Sequence, residues 1–155
     1  MKNLSNEIIG QSAVITELRQ ALKDIAASDM NLMITGESGS GKEFIITELI
    51  KLIKKDYTFQ KINCPELKND KEIFRKVITE NTVQFCNAAE TDKKYKILYL
   101  NKICDLNMGL QKELLDFIDN MNESVENKLN ASHSRNKIRI ISSTNKNIHL
   151  QAINF

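Results

Sequence analysis

Cysteine, histidine, proline and glycine are all scarce in this chain of 155 residues, at three, two, one and five, and neither charge sign dominates. Cys64, Cys86 and Cys104 are odd in number and widely spaced, with no C-x-x-C pair, which argues against a disulfide framework or a zinc knuckle. They read as reduced, partly buried thiols of a cytoplasmic protein. His133 and His149 are isolated among polar residues, so no metal site is expected. The net charge of +2 makes no demand for a nucleic acid or an anionic membrane as partner. Basic pairs such as Lys54-Lys55 and Lys93-Lys94 read as solvated helix ends and loops. No apolar run approaches the ~20 residues of a membrane helix, and the amino terminus lacks the apolar core of a signal peptide. What remains is a length suited to one domain, residues 1–155, able to bury a core without disulfides or metals.

The few glycines are not scattered. Three of the five fall in Gly36-Glu37-Ser38-Gly39-Ser40-Gly41-Lys42-Glu43, directly after the apolar stretch Met30 to Thr35, which reads as a buried strand. A glycine-rich turn between strand and helix lets consecutive backbone N–H groups face inward around a phosphate, with a lysine as cation and the positive helix end behind it. Glu43 stands where the usual G-x-x-x-x-G-K-[ST] pattern has a hydroxyl. A plain strand-to-helix turn is the alternative; strand before and helix after favour the phosphate-binding loop.

The remaining chain alternates strands and helices. Ser12 is a plausible N-cap for a helix carrying Val14, Leu18, Leu22 and Ile25. The spacing predicts a strand over Asn31 to Thr35 and a helix from Gly41 to Lys54 with Phe44, Ile45, Leu49, Leu52 and Ile53 inward. A short strand, Phe59 to Asn63, is ended by Pro65, the sole proline. A helix is expected over Asn69 to Glu80, a fully covered strand over Ile97 to Leu100, and a helix over Met108 to Met121 burying Leu110, Leu114, Leu115, Phe117 and Ile118. The polar stretch Asn122 to Asn136 reads as a loop or a frayed helix end, and Ile138 to Ser143 as a fourth strand. This order implies an α/β fold, a three-layer α/β/α sandwich on a mainly parallel sheet, with ligands at the carboxyl ends of the strands.

Ile8-Ile9-Gly10, the segment 36–43, Ile62-Asn63-Cys64, Phe85 to Ala88, Asp105-Leu106, Leu110-Gln111, Leu114-Leu115 and Arg139 to Asn145 occur in the order found in a known family. The chain resembles the AAA+ P-loop domain of bacterial enhancer-binding proteins, the activators of sigma-54 RNA polymerase, over nearly its whole length. That family also carries Glu after the loop lysine. The resemblance implies an ATP or ADP site with adenine near Ile8, Ile9 and Gly10. It places the phosphates on the loop Gly36, Glu37, Ser38, Gly39, Ser40, Gly41, Lys42 and Glu43, and makes Asn145 the sensor of the terminal phosphate. By residue type alone, Asn145 also reads as a strand-end turn.

The departures from the family are specific. Its third strand ends in Asp-Glu, for magnesium and for polarising the attacking water; here Asn101 and Lys102 stand there. Asn101 brings no charge, and a protonated Lys102 is no general base. Weak or absent magnesium binding is expected, with no catalytic residue and no metal ligand assigned. Asn63 matches a residue that restrains the family's catalytic Glu and so has lost its partner. The family's Gly-Ala-Phe-Thr-Gly-Ala loop, which grips the sigma factor, is missing from Pro65 to Thr82. The helical lid, a fifth strand and a helix-turn-helix are expected to be lacking as well, leaving the first strand at a sheet edge.

The expected function is therefore an ATP-binding domain of a sigma-54-type transcription regulator, cytoplasmic, with hydrolysis slow or absent. A non-catalytic interaction module on the same fold is the alternative. Self-association or other AAA+ subunits are possible partners, sigma-54 follows from the resemblance only, and neither direct DNA binding nor a membrane partner is expected.

Overall fold

In the computed structural model, which describes residues 8–54, 56–67, 70–78, 95–127 and 137–148, four strands form one parallel sheet. They are Leu32–Thr35 (β1), Thr58–Asn63 (β2), Tyr95–Asn101 (β3) and Lys137–Thr144 (β4), in the order β1-β4-β3-β2. Phe85 to Ala88 with Cys86, Lys93-Lys94, His133 and His149 lie outside the described residues. The helices are Ala13–Ala27 (α1), Lys42–Leu52 (α2), residues 71–78 (α3) and Met108–Asn127 (α4). Single 3-10 turns follow β2 at Cys64–Leu67 and β3 at Ile103–Asp105.

Side chains on a strand alternate between faces, and β3 shows what that does when both faces are covered. Tyr95, Ile97 and Tyr99 join Ile141 of β4 in one core, packed by Leu22 of α1 and by Ile46, Leu49 and Ile53 in and after α2. Leu98 and Leu100 turn the other way, with Ile62 and Ile140, against Phe74 and Ile78 of α3 and Leu110 and Leu114 of α4. Two cores, one per face of the sheet, make the three layers expected from the sequence. Each wholly buried Leu or Ile, such as Leu100 or Ile97, contributes about 1.5–3 kcal/mol by leaving water.

Local signals placed most boundaries. Ser12 caps α1, its hydroxyl accepting from the Ile15 N–H. The differences have physical causes. β1 lies at the edge of the described sheet, as expected, but the apolar stretch Met30 to Thr35 is not buried throughout: Met30 and Met33 are 70% and 45% exposed. Val14 and Leu115 fall outside the apolar faces of α1 and α4 and are exposed. Ile46, not Phe44, anchors the start of α2, because a first-turn side chain leans back over the helix amino terminus, beyond the sheet. Glu48 is buried beside that core and pairs with Lys51 at 2.7 Å. The last helix runs on to Asn127, into the polar stretch expected to be loop or frayed end.

A buried arginine joins the layers. Arg139 on β4 is 1% exposed, and its guanidinium donates to the carbonyls of Met30 and Ile25, each at 2.9 Å. The Asn31 side chain accepts from the Ile140 N–H at 2.8 Å, so the connection from α1 to β1 is stitched onto β4. Arg139→Met removes the donor to the Met30 carbonyl and one of the donors to the Ile25 carbonyl, which the Ser28 N–H and hydroxyl still serve, and is expected to lower stability by about 1–3 kcal/mol in urea unfolding, against about 0.5 kcal/mol or less for Val14→Ala. Burial, reinforced by the nearby Asp105 carboxylate, pushes the Cys64 thiol up to about 12. At pH 8 roughly one molecule in ten thousand then carries the reactive thiolate, so iodoacetamide followed by peptide mass spectrometry is expected to find Cys64 unmodified until the protein is denatured.

Candidate functional site

The turn between β1 and α2 depends on its glycines. Gly39 and Gly41 have φ of 78° and 85°, the left-handed region that a Cβ disfavours. A Cβ on Gly36 would come within 2.9 Å of the Ser40 hydroxyl oxygen. Gly41 is the N-cap of α2 and brings no side-chain acceptor, so the first-turn N–H groups and the positive helix end face the loop. Lys42 reaches back across the loop, donating to the carbonyls of Gly36 at 2.8 Å and Glu37 at 2.6 Å. The Gly36 N–H donates to the Thr144 carbonyl at 3.3 Å, which locks the loop entrance to the end of β4.

Strand register builds the opposite wall. Asn63 pairs with Asn101 and Asn101 with Ser143, so three polar side chains stand in a row across the carboxyl ends of β2, β3 and β4. Two residues before Asn101, on the same face, lies Tyr99. Its hydroxyl is 2.9 Å from the Ser143 hydroxyl and donates to Asn101 Oδ1 at 3.2 Å; Ser143 also donates to that oxygen, at 3.0 Å. Burial holds the Tyr99 phenol above its ordinary range, so it stays a donor. With Oδ1 occupied by hydroxyls, the Asn101 amide nitrogen donates to Asn63 Oδ1 at 3.3 Å, and Asn63 donates to Glu66 at 2.6 Å. Both ends of the Asn101 amide are thereby satisfied within the protein.

The charges around this wall are mostly paired. Glu43 forms an ion pair with Lys61, which lies 5.8 Å from the Tyr99 ring centroid and is held above the usual lysine range by the Glu43 hydrogen bond. Asp105, the carboxylate nearest the end of β3, pairs with Lys146 at 2.7 Å, and Lys146 also donates to the Cys104 carbonyl. Lys102 differs. It takes the left-handed conformation, φ 57° and ψ 49°, at a cost of roughly 1–2 kcal/mol for a residue with a Cβ. Its carbonyl accepts from the Asp105 N–H at 2.9 Å, but among the described residues its ammonium has neither an ion-pair nor a hydrogen-bond partner.

A cleft of about 440 Å³ brings these parts together: Ser38, Gly39, Gly41, Lys42 and Glu43 on one side, Asn101, Lys102 and Asn145 on the other. Gly36, Glu37 and Asn145 line an adjoining cleft of about 510 Å³. Ser40 sits within the loop, and Asn63 reaches the wall through Asn101. Ile8, Ile9 and Gly10 line neither cleft. Ile8 is buried in the α1–α2 core, Ile9 is exposed, and the carbonyls of Ile8 and Gly10 accept from Arg19 of α1. Sequence reasoning missed Tyr99, Ser143, Lys61 and the cleft-lining Phe44. Counting β3 by twos from Asn101 reaches Tyr99; Ser143 and Lys61 need the register, which no single strand carries.

This arrangement can hold a polyanion: a lysine, left-handed glycines, an uncapped helix start and a second cation face one space. It does not fit magnesium. That ion takes hard, preferably anionic oxygens at about 2.0–2.1 Å. Here Asn101 is neutral with both ends of its amide engaged, Glu43 and Asp105 are paired with lysines, and Lys102 brings positive charge to the strand end.

Comparison with known proteins gives a consistent picture. The family described as Sigma-54 interaction domain matches residues 8–154. The anaerobic nitric oxide reductase transcription regulator NorR of Serratia proteamaculans is 28% identical over 96% of this chain and 30% of its own length. The transcriptional regulator VasH of Vibrio cholerae is 30% identical over 75% of this chain and 23% of its own. The crystal structure of NtrX from Brucella abortus in complex with ATP superposes with a TM-score of 0.63 at 22% identity, covering 96% of this chain and 32% of that one. NtrX in complex with ADP gives 0.59 at 20% identity, over 94% and 32% of the two chains. The chain thus spans less than a third of the length of these relatives.

Proposed function

This chain belongs to the Sigma-54 interaction domain family of sigma-54-dependent transcriptional regulators, with the P-loop NTPase fold of its AAA+ neighbours, and we propose that it binds ATP and ADP without turning ATP over efficiently. The observation that carries the reading is the cleft itself: a phosphate cradle with its glycines, lysine and helix start in place, facing a strand end whose polar groups are an engaged amide and an ammonium. The β- and γ-phosphates belong on Gly39, Gly41 and Lys42, the terminal phosphate near Asn145, and the adenine toward Ile9 and Gly10. NtrX with ATP and with ADP supports nucleotide as the ligand class.

The missing step is deprotonation of water. A positioned general base contributes about 10²–10⁴-fold, and a protonated lysine cannot supply it. Asp105 is no substitute while Lys146 holds it. The domain, residues 1–155, then acts in the cytoplasm as a nucleotide-occupied regulatory part of a transcription regulator, with other AAA+ subunits as natural neighbours. Contact with sigma-54 follows from the family and must use other residues than the missing glycine-rich loop. The hydrogen bonds of Lys42 to two loop carbonyls favour a second reading, in which the loop is a scaffold and the domain is purely an interaction module.

Calorimetric titration separates the two. The wild type is expected to bind ATP and ADP and form no product over hours, and Lys42→Ala to lose binding while keeping its circular dichroism. A Lys42-dependent ATPase would sink the proposal, and a folded wild type that binds no nucleotide would favour the interaction module. Lys61→Ala leaves the Glu43 carboxylate uncompensated beside the phosphates and is expected to weaken ATP binding about two- to fivefold in the same titration.

A further inference from the structure

The charge balance of the cleft leaves one group without a role. Its one acidic lining residue, Glu43, is neutralised by Lys61, and the neighbouring Asp105 by Lys146. Among the described residues Lys42 has no carboxylate partner and donates to two carbonyls and a hydroxyl. The Lys102 side chain lines the same cleft, is solvent-exposed, and has no partner among the described residues. Among the described residues it is also the sole non-glycine with positive φ, set at the bend where β3 passes into the Ile103–Asp105 turn. That bend leaves the ammonium on the wall opposite the glycine loop, while Asn101 beside it is fully engaged.

Free ATP is a tetraanion, and magnesium normally halves the charge that a protein must meet. The one carboxylate lining this cleft, Glu43, is paired with Lys61, while two ammonium groups, Lys42 and Lys102, line it without an ion-pair partner among the described residues. We propose that Lys102 is a polyphosphate-binding residue that takes the electrostatic place of the divalent ion, so that the chain binds free ATP and ADP in preference to their magnesium complexes. The inference rests on the nucleotide-binding reading above and adds to it the ionic form of the ligand. A hydrated dication beside Lys102 and Lys42 meets like charge, and the metal complex, carrying less negative charge, is attracted less.

The test is calorimetric titration of ATP in EDTA and in excess magnesium, using the 155-residue wild type, Lys102→Gln and Lys102→Gly. Glycine suits the left-handed bend, so that variant removes the cation while keeping the backbone. The wild type is expected to bind several-fold more tightly in EDTA, and both variants to lose about tenfold in EDTA, a change of roughly 1.4 kcal/mol, with little further effect of magnesium. If the wild type binds only with magnesium, or if both variants bind free ATP as tightly as the wild type, the inference is overturned while nucleotide binding stands. If the wild type binds nucleotide under neither condition, the nucleotide reading falls and the inference with it.

Discussion

The cleft depends on the in-register parallel pairing of β3 with β2 and β4. That pairing aligns Asn63, Asn101 and Ser143 across the sheet, and the alternation of β3 sets Tyr99 behind them on the same face. A one-residue slip would turn Leu100 toward the α1–α2 core and Tyr99 toward α3 and α4, and would dismantle the polar row. The register is secured by burial on both sides: Leu98 and Leu100 face one pair of helices, Ile97 and Tyr99 the other, and all four are nearly inaccessible to solvent. Packing far from any ligand therefore decides where the polar atoms of the strand end stand.

Around Asn101 the neighbours suit an amide. Its oxygen meets two hydroxyls and its nitrogen meets Asn63, so a partly buried polar group has its demands met, as it must to avoid a penalty of about 1–3 kcal/mol. Lys61, paired in register with Tyr99, neutralises Glu43 from the next strand. The strand end is a hydrogen-bond network completed around an amide. The amide and the groups that satisfy it occur together, which favours a working cleft over a damaged one.

The architecture was largely legible in the sequence because its signals are local. The glycine spacing gave the loop, the apolar run around Ile97 to Leu100 gave the central strand, and Ser12 marked the start of α1. What escaped depends on distant partners. Phe44 has the apolar character of a core residue and lies at helical spacing from Glu48, yet it is at the cleft because the first turn of α2 overhangs the sheet. Met33 is as apolar as Ile34, and only the packing on the two faces of β1 tells which of them stays exposed. The identities of Asn101 and Lys102 could be read from the chain; the Tyr99–Ser143 support of one and the absence of a described partner for the other could not, because they depend on three strands at once.

The end of β4 connects the two sides of the cleft. Ser143 belongs to the polar row, the Thr144 carbonyl accepts from Gly36 of the loop, Asn145 lines both clefts, and Lys146 grips Asp105 and the Cys104 carbonyl beyond Lys102. Four consecutive residues thus touch the phosphate loop, the strand-end amide and the turn that follows Lys102. A polyphosphate held between Lys42 and Lys102 would bear on this segment from both sides, and its occupancy alone would be enough to bias the segment's position. On the proposed reading, a domain that responds to bound nucleotide and not to its turnover would need the loop, the second cation and β4, which meet at this cleft.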